Sequence, residues 1–203
     1  MRRIDTGGNS ESSDSVHNYD GNWILKFMNE RENRYLEIIQ DFYLNDGFNL
    51  HGLKEKIENF EESYHAIQNM AKSKISESEK ITYLLIHQRY IYSKTGAENI
   101  LDRVMSKEYG TCPRYGCENI PMIPNGISSE YGKHFTMVFC YNCCNMYEAK
   151  GSLRKLDGCA WGPGFAQYIL MTYPSNFEKR KPFKYNPRLF GFRTVEPEYK
   201  KLN

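Results

Sequence analysis

The chain has little that would carry it into or through a membrane. Among its 203 residues no apolar run approaches the roughly 18–20 residues that a spanning helix needs. The opening MRRIDTGGNSESSDS has two arginines but no apolar stretch behind them, unlike a secretory leader. Signatures of catalysis are missing too: there is no Walker loop, HExxH, GxSxG or HRD pattern. Asp41-Phe42-Tyr43 departs from DFG at the glycine. Gly162-Pro163-Gly164 reads as a turn, since two glycines around a proline do not cradle phosphate. His17, His51, His65, His87 and His134 are scattered and read as surface or packed residues rather than ligands. No carboxylate pair is singled out by spacing, and no segment repeats. The sequence reads as that of a non-enzyme.

Net charge is also nearly absent, at +2, but it is unevenly spread. Residues 1–149 hold 16 Lys/Arg against 21 Asp/Glu, and residues 150–203 hold 11 against 4. An acidic body carries a basic tail, which suits water, an acidic partner or nucleic acid. The tail residues Lys179, Arg180, Lys181, Lys184 and Arg188, interleaved with aromatics, keep a nucleic-acid-binding zinc ribbon open as an alternative.

Patterning divides the rest. Residues 1–19, rich in Ser, Gly, Asn and Asp, are expected to be disordered. Trp23, Ile24, Phe27 and Met28 form a short helical face, and a second helix is expected from about Glu32 to Asn45, ended by Gly47. Ile57, Phe60, Tyr64 and Ile67 predict a third helix. Ser76 and Glu79 fit a capping box opening a fourth, which carries Ile81, Leu84, Leu85 and Ile91 and stops near Gly96. A fifth runs from Ala97 to about Ser106. After Gly110, HFTMVF (134–139) and QYILMTY (167–173) predict short strands, and Pro124-Asn125-Gly126 supplies turn chemistry in the stretch between Cys117 and Cys140. The expected class is α+β: helices over 20–107, a small zinc-ribbon-like β module over 108–165, and a helix or strand segment with an extended tail over 166–203.

Cysteine is scarce overall and concentrated where it occurs. Five of the six lie between Cys112 and Cys144, as CPRYGC and CYNCC. C-x4-C (Cys112, Cys117), twenty-two intervening residues and C-x2-C (Cys140, Cys143) describe two knuckles joined by a hairpin. Reduced thiols at that spacing, in an expected cytosolic or nuclear setting, favour structural zinc, one per chain, over two disulfides or free thiols. Four protein sulfurs close the shell, leaving no position for substrate. Cys144 in place of Cys143 would give C-x3-C and stays open as an alternative; Cys159 reads as a small packed thiol.

FNLHGL (48–53), LLIHQRYI (84–91), YGTCPRYGCENIPMIPNG (109–126), CYNCCNMY (140–147), DGCAWGPGF (157–165) and NPRLFGF (186–192) stand in an order and spacing similar to those of the casein kinase II regulatory (beta) subunit family. The resemblance runs from about Asn22 to Tyr199. It implies a helical domain on a zinc module that dimerises, with no phosphotransferase activity. It implies a C-terminal part that holds catalytic alpha subunits, stabilises them in a tetramer of two catalytic and two regulatory chains, and alters which protein substrates they accept. It places the ligands on Cys112, Cys117, Cys140 and Cys143, and partner contacts on Phe190 and Phe192, supported by Leu189. Gly191 between the two rings permits a tight turn. Relatives of that family carry a strongly acidic loop where this chain has MAKSKISESEK, with three lysines against two glutamates, so control by polycations is not expected here. Ser10, Ser12 and Ser13, near Glu11 and Asp14, resemble the family's N-terminal phosphorylation site.

Overall fold

The computed structural model describes residues 22–69, 74–117, 119–178 and 188–193. The N-terminal serines, His17, residues 70–73 of the polar connection, and Lys179, Arg180, Lys181 and Lys184 lie outside the described residues.

Asn22 accepts from the Leu25 N–H and so starts helix α1 (Trp23–Met28). Trp23 stacks on Phe27 at 4.9 Å, and its indole N–H donates to Glu79 Oε2 at 2.6 Å. Two one-turn helices follow, α2 (Asp41–Leu44) and α3 (Gly47–Leu50), the latter capped by Asp46. Then come α4 (Phe60–Gln68), α5 (Glu77–Tyr90) and α6 (Lys94–Met105). The capping box at Ser76 and Glu79 is present as the sequence predicts. Helix α5 buries Glu79, Thr82, Tyr83, Ile86, His87 and Tyr90, a three-and-four spacing that makes it the axis of the helical region.

Four expectations fail here for identifiable reasons. Residues 32–45 do not form one helix: a 3₁₀ turn at Asn33–Tyr35 gives way to extended chain before α2. Side chains from α5 and α6 take the backbone groups a helix would have paired. The Leu36 and Arg34 carbonyls accept from Arg103 at 2.6 and 2.5 Å, the Glu37 N–H donates to His87 Nε2 at 3.0 Å, and the Ile39 N–H donates to Tyr83 at 3.3 Å. Gly47 opens a helix instead of ending one. The third helix starts only at Phe60, because Asn59 adopts a left-handed conformation (φ 57°) that interrupts it after Ile57. The fourth stops at Tyr90, and Gly96 lies inside α6, where a Cβ would collide with the Tyr90 carbonyl.

Beyond Gly110 three short strands, β1 (Ile123–Asn125), β2 (Met137–Cys140) and β3 (Asn145–Glu148), form an antiparallel sheet in sequence order. Val138 stands opposite Pro124 on one side and Tyr147 on the other. Only the end of HFTMVF is strand, and Pro124-Asn125 lies within β1 instead of turning. The QYILMTY segment is helical: α7 (Phe165–Thr172) buries Phe165, Ala166 and Ile169. A short apolar run fits either a strand or a buried helix, and here the helix has a remote cap. Asn125, fully buried, accepts from the Ala166 N–H at 2.9 Å and donates to the Gly126 carbonyl at 2.6 Å. A final hairpin pairs β4 (Arg188–Leu189) with β5 (Phe192–Arg193).

The two halves join at His87 and Trp161. His87 Nδ1 lies 2.9 Å from the Ala160 carbonyl while Nε2 accepts from Glu37, so the neutral ring with its proton on Nδ1 satisfies both contacts. Trp161 meets His87 edge-on at 5.5 Å and donates to Thr136 at 3.1 Å. Gln88 donates to the Cys159 carbonyl, and Gly126 packs so tightly on the Gly158 backbone that no side chain fits. Burial holds the His87 pKa down to about 4; the bond to Ala160 opposes this and the Arg103 charge adds to it.

Two predictions follow from these contacts. The unfolded imidazole titrates near 6.5, so as pH falls through 6.5 toward 4 the unfolded chain takes up a proton that the folded chain refuses. That contribution is complete above pH 6.5 and about 2 kcal/mol of it is gone by pH 5. Urea unfolding at pH 8 and pH 5 should therefore show the stability gap between wild type and His87→Phe narrowing by about that amount. Asn125→Ala, which strips the cap from α7 and leaves buried backbone groups unpaired, should cost about 2–4 kcal/mol in the same measurement.

Candidate metal centre

The first knuckle is shaped by its backbone. Thr111 bridges Pro121, the Cys112 N–H donates to the Ile120 carbonyl at 2.9 Å, and the Cys117 N–H donates to Arg114 at 2.9 Å. Gly116, at φ 83°, makes the turn that a side chain would oppose. The second knuckle is the connection between β2 and β3, closed by the Cys144 N–H to the Cys140 carbonyl at 2.8 Å. Because β2 is the central strand, pairing it with β1 carries Cys140 and Cys143 back to the first knuckle.

The sulfurs of Cys112, Cys117, Cys140 and Cys143 all lie within 4.8 Å of one another, and those of Cys112 and Cys143 are 3.8 Å apart. Among the described residues this is the one cluster of three or more metal-ligating side chains. Cys112, Cys117 and Cys140 are buried and Cys143 is half-buried. Backbone N–H groups face the sulfurs: Arg114 toward Cys112, Asn142 and Cys143 toward Cys140, Asn145 toward Cys143. The Asn142 amide donates to Cys117 at 3.2 Å, and Tyr147 Oη lies 3.3 Å from Cys143 Sγ.

Burial pushes the Cys112 and Cys140 thiols up. It acts the same way on Cys143, but contacts from Tyr147, the Asn145 N–H and the Cys140 and Cys112 thiols outweigh it and bring Cys143 down to about 6. A cation fits such a site. Metal–sulfur bonds of about 2.3 Å in a tetrahedron place sulfurs about 3.8 Å apart, which matches the Cys112–Cys143 pair. Four soft anionic donors in a closed shell suit zinc held for structure.

The geometry separates the two neighbouring cysteines that spacing left open. Cys144 has φ 56° and is exposed, its thiol directed to the Tyr141 carbonyl at 3.6 Å, outside the quartet. Cys159 is a buried thiol behind the α5 contact, pushed up by burial and by Asp157. Sequence reasoning missed Tyr147, Asn142 and Asn125. Tyr147 follows Cys143 by four residues, but that spacing does not say that a hairpin will fold its hydroxyl back onto the sulfur.

Far along the chain, Leu189, Phe190 and Phe192 are 62, 92 and 78 % exposed. Phe190 and Gly191 both have positive φ (51° and 86°), as a two-residue hairpin turn of type I′ requires. The glycine takes this without strain, and the phenylalanine is held there by the pairing of Leu189 with Phe192. Among the described residues no helix is long and apolar enough to cross a membrane.

The sequence model of the casein kinase II regulatory subunit family matches residues 22–193. The chain is 31% identical to casein kinase II subunit beta′ of Drosophila melanogaster over 191 residues, 89% of this chain and 87% of that protein. It is 29% identical to casein kinase II subunit beta of Dictyostelium discoideum, covering 91% of this chain and 72% of that one. Against casein kinase II subunit beta-2 of Schizosaccharomyces pombe it is 31% identical, with 91% and 78% covered. Matched across both the helical region and the four-cysteine module, the chain belongs to the casein kinase II regulatory (beta) subunit family and is a regulatory, non-catalytic polypeptide.

Proposed function

We propose that this chain is a zinc-stabilised homodimeric scaffold that binds and stabilises casein kinase II catalytic subunits and modulates their choice of protein substrate. The observation that carries the reading is the closed quartet of Cys112, Cys117, Cys140 and Cys143 inside a chain of this family. In this reading residues 20–107 form the helical domain, 108–165 the zinc-binding dimerisation module, and 166–203 the segment that engages the kinase, in the cytoplasm and nucleus. Zinc supplies the cross-link that ties the two knuckles together; the chain's own part is to present four sulfurs and the backbone N–H groups that stabilise them.

Two surfaces support the assignment of partners. Tyr115 on the first knuckle and Met146 on β3 are exposed, an apolar offering near the cysteines that suits a second copy of the chain. The hairpin bearing Leu189, Phe190 and Phe192 offers rings on a short rigid turn, the kind of anchor that fills a pocket on a partner. The flanking Arg188 and Arg193 leave the apolar tip uncharged. Polycation control forms no part of the reading, given the lysines at 72, 74 and 80.

Native mass measurement after co-purification with the catalytic subunit should find two copies of this chain and two zinc ions per complex. A strong chelator should abolish the dimer and expose the module to protease, because structural zinc supplies about 10–16 kcal/mol of apparent folding energy in comparable sites. A metal-free dimer of unchanged protease resistance would overturn the zinc assignment. Replacing Phe190 and Phe192 together by Ala should weaken capture of the catalytic subunit by about 30-fold or more, with the dimer mass intact. Wild-type capture by that variant would remove the hairpin from the reading, and steep salt-dependent binding to nucleic acid instead would favour the zinc-ribbon alternative.

A further inference from the structure

The four sulfurs are not equivalent. Cys140 ends the central strand and is fully buried, while Cys112 and Cys117 are nearly so. Cys117 is additionally covered by the Asn142 amide, which donates to it. Cys143 alone is half-buried, and the side chain that lies against it is Tyr147, whose hydroxyl sits 3.3 Å from the sulfur. Tyr147 is itself half-buried and lines a cleft of about 310 Å³ whose floor is Tyr109, Met122, Val138 and Leu153. Cys143 is therefore the least covered corner of the quartet, reached past Tyr147, whereas the other three are buried in the sheet and the first knuckle.

We infer that Cys143 is the ligand through which this site loses or exchanges its metal, and that the Tyr147 hydroxyl is the positioning group that holds Cys143 in place. The inference rests on the zinc reading above. Loss of a metal from a closed thiolate shell begins when one sulfur is withdrawn, and the sulfur withdrawn first is the one solvent and reagents can reach. The Tyr147 hydroxyl restrains that sulfur by a hydrogen bond, as outer-shell donors do in metal sites generally. An electrophile makes the step explicit. The Cys143 sulfur forms a bond to an alkene carbon of a maleimide, a proton from water completes the adduct, and the resulting thioether is no longer an anionic donor. This gives the family's closed site a single defined point of sensitivity to thiol-reactive electrophiles.

The test uses the full-length chain carrying Cys144→Ser, which removes the exposed neighbouring thiol, with its zinc loaded. Limiting N-ethylmaleimide followed by peptide mass mapping should find the first adduct of the quartet on Cys143, and zinc should reach the colorimetric chelator 4-(2-pyridylazo)resorcinol at the same rate as that adduct forms. Without the electrophile, adding Tyr147→Phe, which keeps the ring and removes only the hydroxyl, should speed zinc transfer to the chelator about tenfold at an unchanged far-UV spectrum. Asn142→Ala, which uncovers Cys117 instead, should leave the rate close to that of the parent. First adducts on Cys112, Cys117 or Cys140, or a Tyr147→Phe rate within twofold of the parent, would overturn the inference while leaving the zinc reading intact. Should Tyr147→Phe fail to fold, the order of alkylation in the parent decides. Absence of stoichiometric zinc in the parent sinks the metal reading itself, and this inference with it.

Discussion

A sheet of three strands, each three or four residues long, buries too little to hold its own shape. Its outer strand β3 leaves Asn145, Met146 and Glu148 exposed, so it has one covered face at most. The register of this sheet is the one in which Cys140, at the end of β2, and Cys143, on the connection to β3, meet Cys112 and Cys117. A slip of one residue would turn Cys140 away from its partners and move Val138 out of the core. The sulfurs in turn could not sit together as anions without a countercharge, since like charges at 3.8 Å in a buried setting repel strongly. Register and burial are thus one constraint, and the cation proposed above would answer the charge that they bring together.

The helical region meets that module through groups that are neutral or internally paired. His87 uses both ring nitrogens, one toward residue 37 and one toward residue 160, so a single imidazole ties the N-terminal extended segment, α5 and the cysteine-rich half together. Arg103 does a similar job on the other side, holding the carbonyls of Arg34 and Leu36 while its charge is balanced by Glu37 and Glu108. His87 is fully buried and Arg103 and Glu37 are largely so, and each finds a partner, as burial demands. The junction is thus specific in a way that apolar packing alone would not make it.

Much of this was legible in the chain. The capping box at Ser76, the apolar stripe of α6 and the two cysteine knuckles are local patterns, and local patterns are what a sequence displays. The stripe expected for α5 was not one of them, since that helix buries Thr82, Tyr83, Ile86, His87 and Tyr90 with Leu84 and leaves Ile81 and Leu85 half-buried. The extended run at 36–40 was not legible, because the side chains that capture its backbone come from Tyr83, His87 and Arg103, more than forty residues away. Helix α7 was misread as a strand for the same reason: its cap, Asn125, belongs to a different element. The choice between Cys143 and Cys144 turned on a backbone angle, since the positive φ of Cys144 swings its thiol outward. Spacing constrains which residues can meet; it does not say which way the chain turns when they do.

The two ends of the functional reading differ physically. The quartet is closed and largely buried, and its chemistry is to be still. The hairpin at 188–193 is the reverse, with three apolar side chains standing in solvent on a turn whose second residue is a glycine and whose first is strained into a left-handed conformation. A monomer gains nothing from exposing Phe190 this way; water is a poor environment for that ring, and the strained φ adds to the cost. Such a feature is retained where a partner covers it, because the ring's transfer from water is then recovered at the interface while the pre-formed turn spares the entropy of ordering a loop. A base closed by four sulfurs and a tip presented on a two-residue turn are the two features on which the proposed scaffold reading rests, the one for holding a shape and the other for entering a partner.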